Sequence, residues 1–325
     1  MIGEEDLTII TRLYNNIMKN KILISVVVPV LNEELTIQQF YKELVNNIEG
    51  YNYEIIFVND GSRDKSQEII NGLRGKNKRV KLINLTRNFG HQIAITCGID
   101  HSKGDAVIII DADLQDPPNV IPKMINKWQE GFDVVYGIRK ERAGENLVKI
   151  ITAKIFYKLV YFLSGKKIPE NVGDFRLISK PVVQTLKTTR EYQRFLRGII
   201  SWTGYKHTGV FYKRQKRYAG ETKYSTYSMI KLALDALLSF SFFPLRIASI
   251  LGTITAIGAV GMIFYAVYVQ SIGQTVKGWS STIVVILFLG SIQLITIGII
   301  GEYLGRIYEE VKRRPLYVID SKVGI

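Results

Sequence analysis

The chain has 325 residues, a formal net charge of +14 and 47% hydrophobic residues. This length is sufficient for one sizeable α/β domain and an additional segment. The single cysteine, Cys97, excludes an internal disulfide, and the sequence contains no Cys/His cluster of the kind that binds zinc. The excess of cations predicts an anionic partner, for which nucleic acid, an anionic lipid surface and a phosphorylated substrate are all suitable.

Residues 1–21 are predicted to form a short N-terminal extension and not a secretory signal. Glu4, Glu5 and Asp6 occupy the region where a signal peptide has basic residues, and no uninterrupted apolar stretch follows them. Met18 lies just ahead of the first predicted strand, so a start at this methionine would remove little of the fold.

From residue 22 the chain alternates short apolar runs with amphipathic stretches. The runs are rich in β-branched residues, which predicts buried strands at 22–30, 53–58, 80–85, 106–110 and 133–136. Helical spacing lies between them, at roughly 34–48, 64–74, 90–101 and 119–130. This alternation predicts an α/β domain over residues 22–225 with a mostly parallel sheet, and ligands that bind beyond the carboxyl ends of its strands.

The C-terminal third contains two apolar segments within residues 246–304, at about 247–269 and 282–301. Each reaches the roughly 20 residues needed to cross a bilayer. Cations flank the pair on its outer sides, and Lys277 lies between the two segments. Because cytosolic flanks carry an excess of Lys and Arg, we predict an integral protein of the plasma or inner membrane whose large α/β domain and C-terminal tail, 305–325, are both cytosolic.

Two other segments have an apolar helical face. Residues 226–245 lead directly into the first apolar segment, so we predict a juxtamembrane amphipathic helix that lies in the membrane plane. Residues 145–163 have a similar pattern, which is equally suited to the membrane interface and to packing on the domain.

Polar residues follow the first two predicted strands. Asn32 and Glu33 come after the first strand, and capping of the next helix is an alternative function for Asn32. Asp60 and Gly61 come after the second strand. The carboxylate of Asp60 could accept hydrogen bonds from a base or a ribose, and Gly61 permits a tight turn.

An acidic motif directly follows the fourth predicted strand. In an extended segment, residues two apart face the same side, so Asp111, Asp113 and Gln115 are predicted to converge on one ion. Oxygen ligands suit Mg²⁺ or Mn²⁺ bridging a diphosphate. A solvated acidic loop is the alternative.

In combination, residues 29–34, 60–62 and 111–118 resemble glycosyltransferase family 2, which has the Rossmann-like GT-A fold. Residues 87–91 and 111–118 are similar to the branch of this family that acts on polyprenyl phosphates, which includes dolichol-phosphate mannose synthases and bactoprenol glucosyltransferases. The paired apolar segments and residues 173–177 and 194–198 most resemble the bactoprenol group. The resemblance covers about residues 22–320.

The resemblance implies a function for each matching residue. Those assigned to the nucleotide sugar are Pro29, Asn32, Glu33, Asp60 and Asp111, and those assigned to the metal and diphosphate are Asp111, Asp113 and Gln115. The residues assigned to catalysis are Asp113, Arg139, which is similar to an arginine that faces phosphate, and Asp174, which corresponds to a catalytic base or a sugar-positioning group. An ion pair with Arg176 or a helix cap is the alternative for Asp174.

Cations ahead of the first apolar segment are candidates for binding the phosphate of the lipid. They are Arg194, Arg197, Arg214 and Arg217. General attraction to anionic headgroups, worth about 1 kcal/mol per cation, is an equal alternative. Arg214 and Arg217 are the better specific candidates, because a guanidinium can bind phosphate with two hydrogen bonds.

The implied reaction is inverting transfer of a sugar from a nucleotide sugar, with UDP-glucose preferred, to a polyprenyl phosphate such as undecaprenyl phosphate. GDP-mannose and UDP-formamido-arabinose are alternative donors. The acceptor phosphate has a second pKa of about 6, so it needs alignment more than deprotonation. The resemblance also implies a homo-oligomer.

Two other classes of protein remain as alternatives. A processive polysaccharide synthase would have a Gln-x-x-Arg-Trp box, whereas residues 193–202 contain Gln, Arg and Trp at a different spacing. A non-enzymatic protein bound to membrane or nucleic acid would account for the positive charge. However, the cations cluster beside the apolar segments and no nucleic-acid-binding module is visible, so we expect no nucleic acid partner.

Overall fold

The computed structural model describes residues 22–140, 172–215, 243–273 and 278–325. The predicted extension at 1–21, the amphipathic segment at 145–163 and most of the juxtamembrane segment at 226–245 lie outside these residues. The described strands are β1 Leu23–Val30, β2 Asn52–Asn59, β3 Val80–Leu85, β4 Ala106–Ile109, β5 Val134–Arg139, β6 Val172–Ser179, β7 His207–Tyr212 and β8 Ile319–Val323. The described α-helices are α1 Ile37–Ile48, α2 Ser66–Lys76, α3 His91–His101, α4 Ile121–Gln129, α5 Lys180–Thr188, α6 Leu196–Trp202, α7 Phe243–Ser271 and α8 Trp279–Val311.

The described strands form one sheet in the order β7-β5-β6-β4-β1-β2-β3-β8. Strands β4, β1, β2 and β3 are parallel, as the strand–helix alternation predicts. Strand β6 is antiparallel to both β4 and β5, and β8 is antiparallel to β3. Strands β6, β7 and β8 are not predicted from the sequence, because charged and polar residues interrupt their apolar pattern.

Helices cover both faces of the sheet, because the central strands are apolar on both sides. On one face, Val26 and Val28 of β1 pack with helices α1, α2 and α4. On the other face, Val27 packs with α3, α5 and α6. The result is a three-layer α/β domain, in which the carboxyl ends of β4, β1, β2 and β3 share one edge of the sheet.

Helices α7 and α8 contain the predicted apolar segments and contact each other. Their apolar parts, Pro244–Val269 and Val284–Val311, are long enough to cross a membrane. Large apolar side chains on them face outwards, and Phe264 and Leu294 are 71% and 72% exposed. A lipid environment would cover these surfaces.

The chain after α8 returns to the sheet of the α/β domain. The sequence predicts a C-terminal tail at 305–325, whereas in the structure α8 continues to Val311 and β8 pairs with β3. The Tyr317 hydroxyl donates to the Asp100 carboxylate at 2.7 Å, and Glu310 accepts from the backbone N–H of Tyr192 at 2.6 Å. These contacts attach the end of α8 to the domain.

Close packing of α3 on β1 requires a glycine at position 98. A Cβ atom at Gly98 would lie 2.2 Å from Val27 Cγ1, whereas a Cβ atom at Gly72 in α2 would have nothing within 4 Å. We expect Gly98→Ala to lower the free energy of unfolding of the domain by about 1–3 kcal/mol, because it overpacks a buried contact. Gly72→Ala, the matched control, should raise it by about 0.5–1 kcal/mol through helix propensity. Denaturant unfolding of the full-length protein, followed by near-UV circular dichroism, measures both; equal stability of the two variants would contradict the packing argument.

Candidate active site

A cavity of about 610 Å³ opens at the edge of the sheet where β1, β2 and β3 end. Most of the residues that line it are polar. They are Leu31, Asn32, Asn59, Gly61, Ser62, Arg63, Gln67, Asn84, Leu85, Thr86, Arg87, Asn88 and Asp320. This location is where parallel α/β sheets bind ligands, as the sequence analysis predicts.

Asp60 shapes this cavity by holding the loop after β3. Its carboxylate accepts from the backbone N–H groups of Phe89 and Gly90, at 2.7 and 3.0 Å. Burial raises the pKa of Asp60, although these two hydrogen bonds oppose the shift. Gly61 has a φ of +73°, and a Cβ atom there would lie 2.7 Å from the backbone nitrogen of Asn88. The tight turn predicted at Gly61 therefore also permits close approach of the neighbouring loop.

The loops after β1 and β2 are joined by hydrogen bonds. The backbone N–H of Asn32 donates to Ser62 Oγ at 3.0 Å, and Asn32 Oδ1 accepts from the backbone N–H of Arg63 at 2.8 Å. Glu33 donates its backbone N–H to Ser66 Oγ and accepts from the Thr36 hydroxyl. Asn32 thus bridges two loops and does not cap α1.

The predicted nucleotide residues take different positions around the cavity. Asn32 contributes to its lining. Pro29 is buried within β1 opposite Val58, and the contacts of Glu33 and Asp60 build the loops behind the lining.

The acidic motif is a turn, and this corrects the expectation that its side chains alternate as in a strand. Strand β4 ends at Ile109, and Leu114 has a φ of +61°, which interrupts extended geometry. Asp113 is 9% exposed and accepts from the backbone N–H of Gln115 at 3.0 Å. Gln115 Oε1 accepts from Arg214 Nη2 at 2.6 Å, so this oxygen is engaged by a guanidinium. The turn therefore removes the reason for placing Gln115 beside Asp111.

Asp111 and Asp174 meet at a shared histidine. His91 Nε2 lies 3.5 Å from Asp111 Oδ1 and 3.5 Å from Asp174 Oδ2. The pairing of β4 with β6 explains this geometry, because Ile109 is opposite Arg176. Continuing this antiparallel register by two residues brings Asp111 level with Asp174.

The three groups have strongly shifted pKa values. Burial raises the pKa of Asp111 to about 6; the positive charge of His91 opposes this shift, and the neighbouring carboxylates reinforce it. Burial alone would lower the pKa of His91, but the carboxylates of Asp111 and Asp174 raise it to about 9. His91 is therefore a cation at neutral pH that lies between two carboxylates.

Asp174 is surrounded by hydrogen-bond donors. Arg197 binds its carboxylate with two hydrogen bonds of 2.9 Å, and Gln92 donates a third at 3.2 Å. The buried Arg176 lies 3.6 Å away. Burial opposes ionisation, but Arg197 and His91 outweigh it and hold the pKa of Asp174 well below its usual range. Such a carboxylate is a poor proton acceptor, so the geometry favours positioning over the role of a base.

A second buried carboxylate, Asp116, anchors Arg139. Asp116 is 2% exposed and accepts a short hydrogen bond from the Tyr212 hydroxyl. Arg139 Nη2 lies 3.4 Å from Asp116 Oδ1, and Arg139 Nε donates to the Tyr212 oxygen at 3.1 Å. These contacts hold the guanidinium of Arg139 beside the acidic turn.

The four arginines assigned to the lipid phosphate do not share one position. Arg194 is 7% exposed and donates to the carbonyl oxygens of Thr189 and Leu186, so it stabilises the domain; its assignment to the lipid phosphate is corrected. Arg197 binds Asp174 inside the site. Arg214 is exposed beside Gln115, and Arg217 lies outside the described residues.

The described residues suit a divalent metal that is completed by substrate oxygens. Asp111 Oδ1 is buried and has no hydrogen-bond partner within the described ranges. Among those residues no three His, Cys, Asp or Glu side chains form a preorganised metal cage. Mg²⁺ is commonly held by one or two carboxylates together with phosphate oxygens, a pattern that Asp111 and Asp113 could supply.

Gln92, Asp116 and Tyr212 were not among the residues predicted from the sequence, whereas Arg176 was named as the alternative ion-pair partner of Asp174 and lies 3.6 Å from it. Asp116 lies within the acidic motif, so its position was visible and only its function was missed. Tyr212 ends the unpredicted strand β7, and nothing in its local sequence indicates a contact with Asp116.

The sheet, the acidic turn and the cavity at the strand ends are typical of glycosyltransferases with the GT-A fold. The family described as "Glycosyl transferase family 2" matches residues 25–187. The chain belongs to this family and is a glycosyltransferase.

Similar proteins include the "Uncharacterized glycosyltransferase YkcC" of Bacillus subtilis strain 168, which is 46% identical over 95% of this chain and 96% of that protein. The "Bactoprenol glucosyl transferase" of Shigella phage SfX is 46% identical over 92% of this chain and 99% of that protein. Among solved structures, the glucosyl-3-phosphoglycerate synthase of Mycobacterium tuberculosis, in complex with Mn²⁺, UDP and phosphoglyceric acid, has a TM-score of 0.50 and 18% identity. The structural match covers 67% of this chain and 78% of the synthase chain, and it confirms the predicted fold.

Metal binding should weaken in acid because Asp111 must be ionised to bind a cation. With a pKa of about 6, Asp111 loses its proton between pH 5 and pH 7, whereas His91, with a pKa of about 9, stays charged. We expect the affinity for Mn²⁺ to rise about tenfold from pH 5 to pH 7. Electron paramagnetic resonance of free Mn²⁺ measures this in the full-length protein. Asp111→Asn should bind weakly with a flat pH profile, and a flat profile in the wild-type protein would contradict the assignment.

Proposed function

We propose that this protein transfers a sugar, glucose from UDP-glucose in the preferred assignment, to the phosphate of a polyprenyl phosphate such as undecaprenyl (bactoprenol) phosphate. The main support for this proposal is the extent of the similarity to the bactoprenol glucosyl transferase of Shigella phage SfX, which covers 92% of this chain at 46% identity. Similarity over this length includes helices α7 and α8 as well as the catalytic sheet. A lipid acceptor accounts for both parts of the chain.

In the proposed reaction, an oxygen of the acceptor phosphate forms a bond with the anomeric carbon of the sugar. The bond from that carbon to the diphosphate breaks, its electron pair stays with the diphosphate, and a nucleoside diphosphate leaves. The configuration at the anomeric carbon is inverted, by resemblance to the family. The acceptor is largely a dianion at neutral pH, so its attack requires alignment and removal of water.

The carboxylates of Asp111 and Asp113 are proposed to hold Mg²⁺ or Mn²⁺. When bound, such an ion neutralises charge that develops on the leaving diphosphate. Arg139, held by Asp116 and Tyr212, is proposed to face the same phosphates. Its fixed guanidinium would contribute to binding without having to be ordered on arrival of the donor.

We propose that Asp174 orients the sugar. It also fixes the position of Arg197, which forms part of the wall of the site. Both oxygens of Asp174 already accept hydrogen bonds from Arg197. The carboxylate is ionised throughout the physiological pH range, because these donors hold its pKa well below the usual range. Proton transfer to it is therefore unfavourable, and its proposed contribution is geometric.

The path of the chain supports the proposed membrane arrangement. Helix α7 begins after the catalytic domain, and the chain beyond α8 pairs with β3 of the same sheet. If both helices cross the bilayer, their outer ends must lie on one side, in agreement with the distribution of Lys and Arg. We therefore propose an integral membrane protein with residues 22–225 and strand β8 in the cytosol.

Cations near the start of the membrane segment are proposed to bind the lipid phosphate. Arg214 is exposed and contacts Gln115 of the acidic turn, which brings a guanidinium to the metal side of the site. We retain Arg214 and Arg217 as candidates for binding the lipid phosphate. Arg197 is proposed to act indirectly, by holding Asp174 in position. Association into a homo-oligomer through the membrane helices is part of the same proposal.

The proposal is tested with full-length protein in detergent, short-chain polyprenyl phosphate and a panel of UDP-glucose, GDP-mannose and UDP-formamido-arabinose. Mass spectrometry should detect one glucose per lipid in the presence of Mn²⁺ and none with EDTA. Asp113→Ala should lower turnover by at least about 100-fold, because a metal ligand is lost. Glu130→Ala, an exposed carboxylate between α4 and β5 at the opposite edge of the sheet, is the matched control and should retain activity. A polymeric product, or full activity of Asp113→Ala, would contradict the proposal.

The pH profile of Asp174→Asn distinguishes positioning from base catalysis. If Asp174 acts by position, its replacement should lower kcat about 100-fold at every pH from 6 to 9, because a displaced reactant is misaligned at any pH. If Asp174 were the base, kcat of the variant would collapse only below neutral pH and recover fully above it. Steady-state rates of wild-type and variant enzymes across this range provide the comparison.

A further inference from the structure

Strand β8 brings a residue from the C-terminus into the cavity at the carboxyl ends of β1, β2 and β3. The strand begins a few residues after α8 and pairs with β3. The backbone N–H of Thr86 donates to the carbonyl of Val318 at 3.1 Å, and Asn84 Nδ2 donates to Ser321 Oγ at 2.9 Å. The position of β8 against the cavity is therefore fixed on both sides of Asp320.

Asp320 is the extra residue of a β-bulge. In the register of β3 with β8, Asn84 is opposite Ser321 and Leu85 is opposite Ile319, so Asp320 has no partner on β3. A bulge turns a side chain away from the regular alternation, and bulges are frequent beside active sites. Asp320 is exposed and lines the cavity.

Several other polar groups of the cavity are bound within the protein. Asn59 Nδ2 donates to Asn84 Oδ1 at 2.9 Å, and Asn59 Oδ1 accepts from the backbone N–H of Ser62. The guanidinium of Arg87 lies over the ring of Phe89 at 4.0 Å. By contrast, the Asp320 carboxylate has no hydrogen-bond or ion-pair partner within the part of the chain that the structure describes. It is thus an acceptor available to a ligand with N–H or O–H groups.

The order of strands indicates which end of the donor reaches Asp320. Asp111 follows β4, and β1, β2 and β3 separate β4 from β8 in the sheet. At about 4.8 Å per neighbouring pair, β4 and β8 lie about 19 Å apart. Since the acidic turn is assigned to the diphosphate, the opposite end of an extended nucleotide lies towards β8. A carboxylate there would repel phosphate and favour the N–H groups of a base.

We infer that Asp320 is a specificity-determining residue whose carboxylate accepts a hydrogen bond from an N–H group on the base of the donor nucleotide. This inference rests on the proposed function, because it requires a nucleotide donor at this cavity. A residue that follows the apolar helices in the sequence would thus contribute to recognition of the base.

The test compares binding of UDP, 2′-deoxy-UDP, GDP, CDP and inorganic pyrophosphate to full-length wild-type protein, Asp320→Asn and Asp320→Ala by calorimetry with Mn²⁺. Both variants should bind the preferred nucleotide about tenfold more weakly, because a hydrogen bond to a charged group is lost. Pyrophosphate has no base, so its affinity should be unchanged. Lys322→Ala, an exposed residue on the same strand that does not line the cavity, is the matched control and should bind as the wild type does.

Equal weakening of pyrophosphate and nucleotides would overturn the inference and indicate a distorted site, and unchanged binding of all ligands would overturn it as well. If the wild-type protein binds 2′-deoxynucleotides more weakly than ribonucleotides and Asp320→Ala does not, the carboxylate contacts the ribose. That result would also overturn the inference. In each of these cases the wild-type protein still binds nucleotides, so the proposed function stands. If the wild-type protein binds none of them, both proposals fail.

Discussion

Two carboxylates, Asp111 and Asp174, lie close enough to share one imidazole, and their mutual repulsion must be offset for the domain to fold. His91 lies between them, and Arg197 adds a second cation on the far side of Asp174. These partners come from helices α3 and α6, which flank the sheet edge. Compensation of charge therefore draws the acidic turn, strand β6 and the helices into one arrangement.

The two carboxylates have different environments, and this separates their functions. Asp174 is saturated by donors and stays ionised, so it is a fixed element of the site. Asp111 keeps one buried oxygen without a hydrogen-bond partner among the described residues and has a pKa of about 6, which suits the metal-binding role that we propose for it. In many active sites, neighbouring carboxylates have different functions because their environments shift their pKa values differently.

The return of the chain after α8 links the apolar helices to the catalytic sheet. Strand β8 covers the edge of β3, which would otherwise expose unpaired backbone groups. Contacts of Glu310 and Tyr317 attach the same segment to the domain near Tyr192 and Asp100. The position of the catalytic domain relative to the end of α8 is therefore set by hydrogen bonds and not by the chain connection alone.

The sequence by itself determined the parallel core strands, the two apolar helices and the acidic motif, because burial on both faces and spans of membrane length leave local patterns. It also located Asp111, Asp113 and Asp174. Only the tertiary structure decided which side chains meet: a turn diverts Gln115 to Arg214, burial removes Arg194 from the site, and a bulge in the C-terminal strand brings Asp320 to the cavity. Those outcomes depend on register and on contacts between residues distant in sequence, for which no local pattern exists.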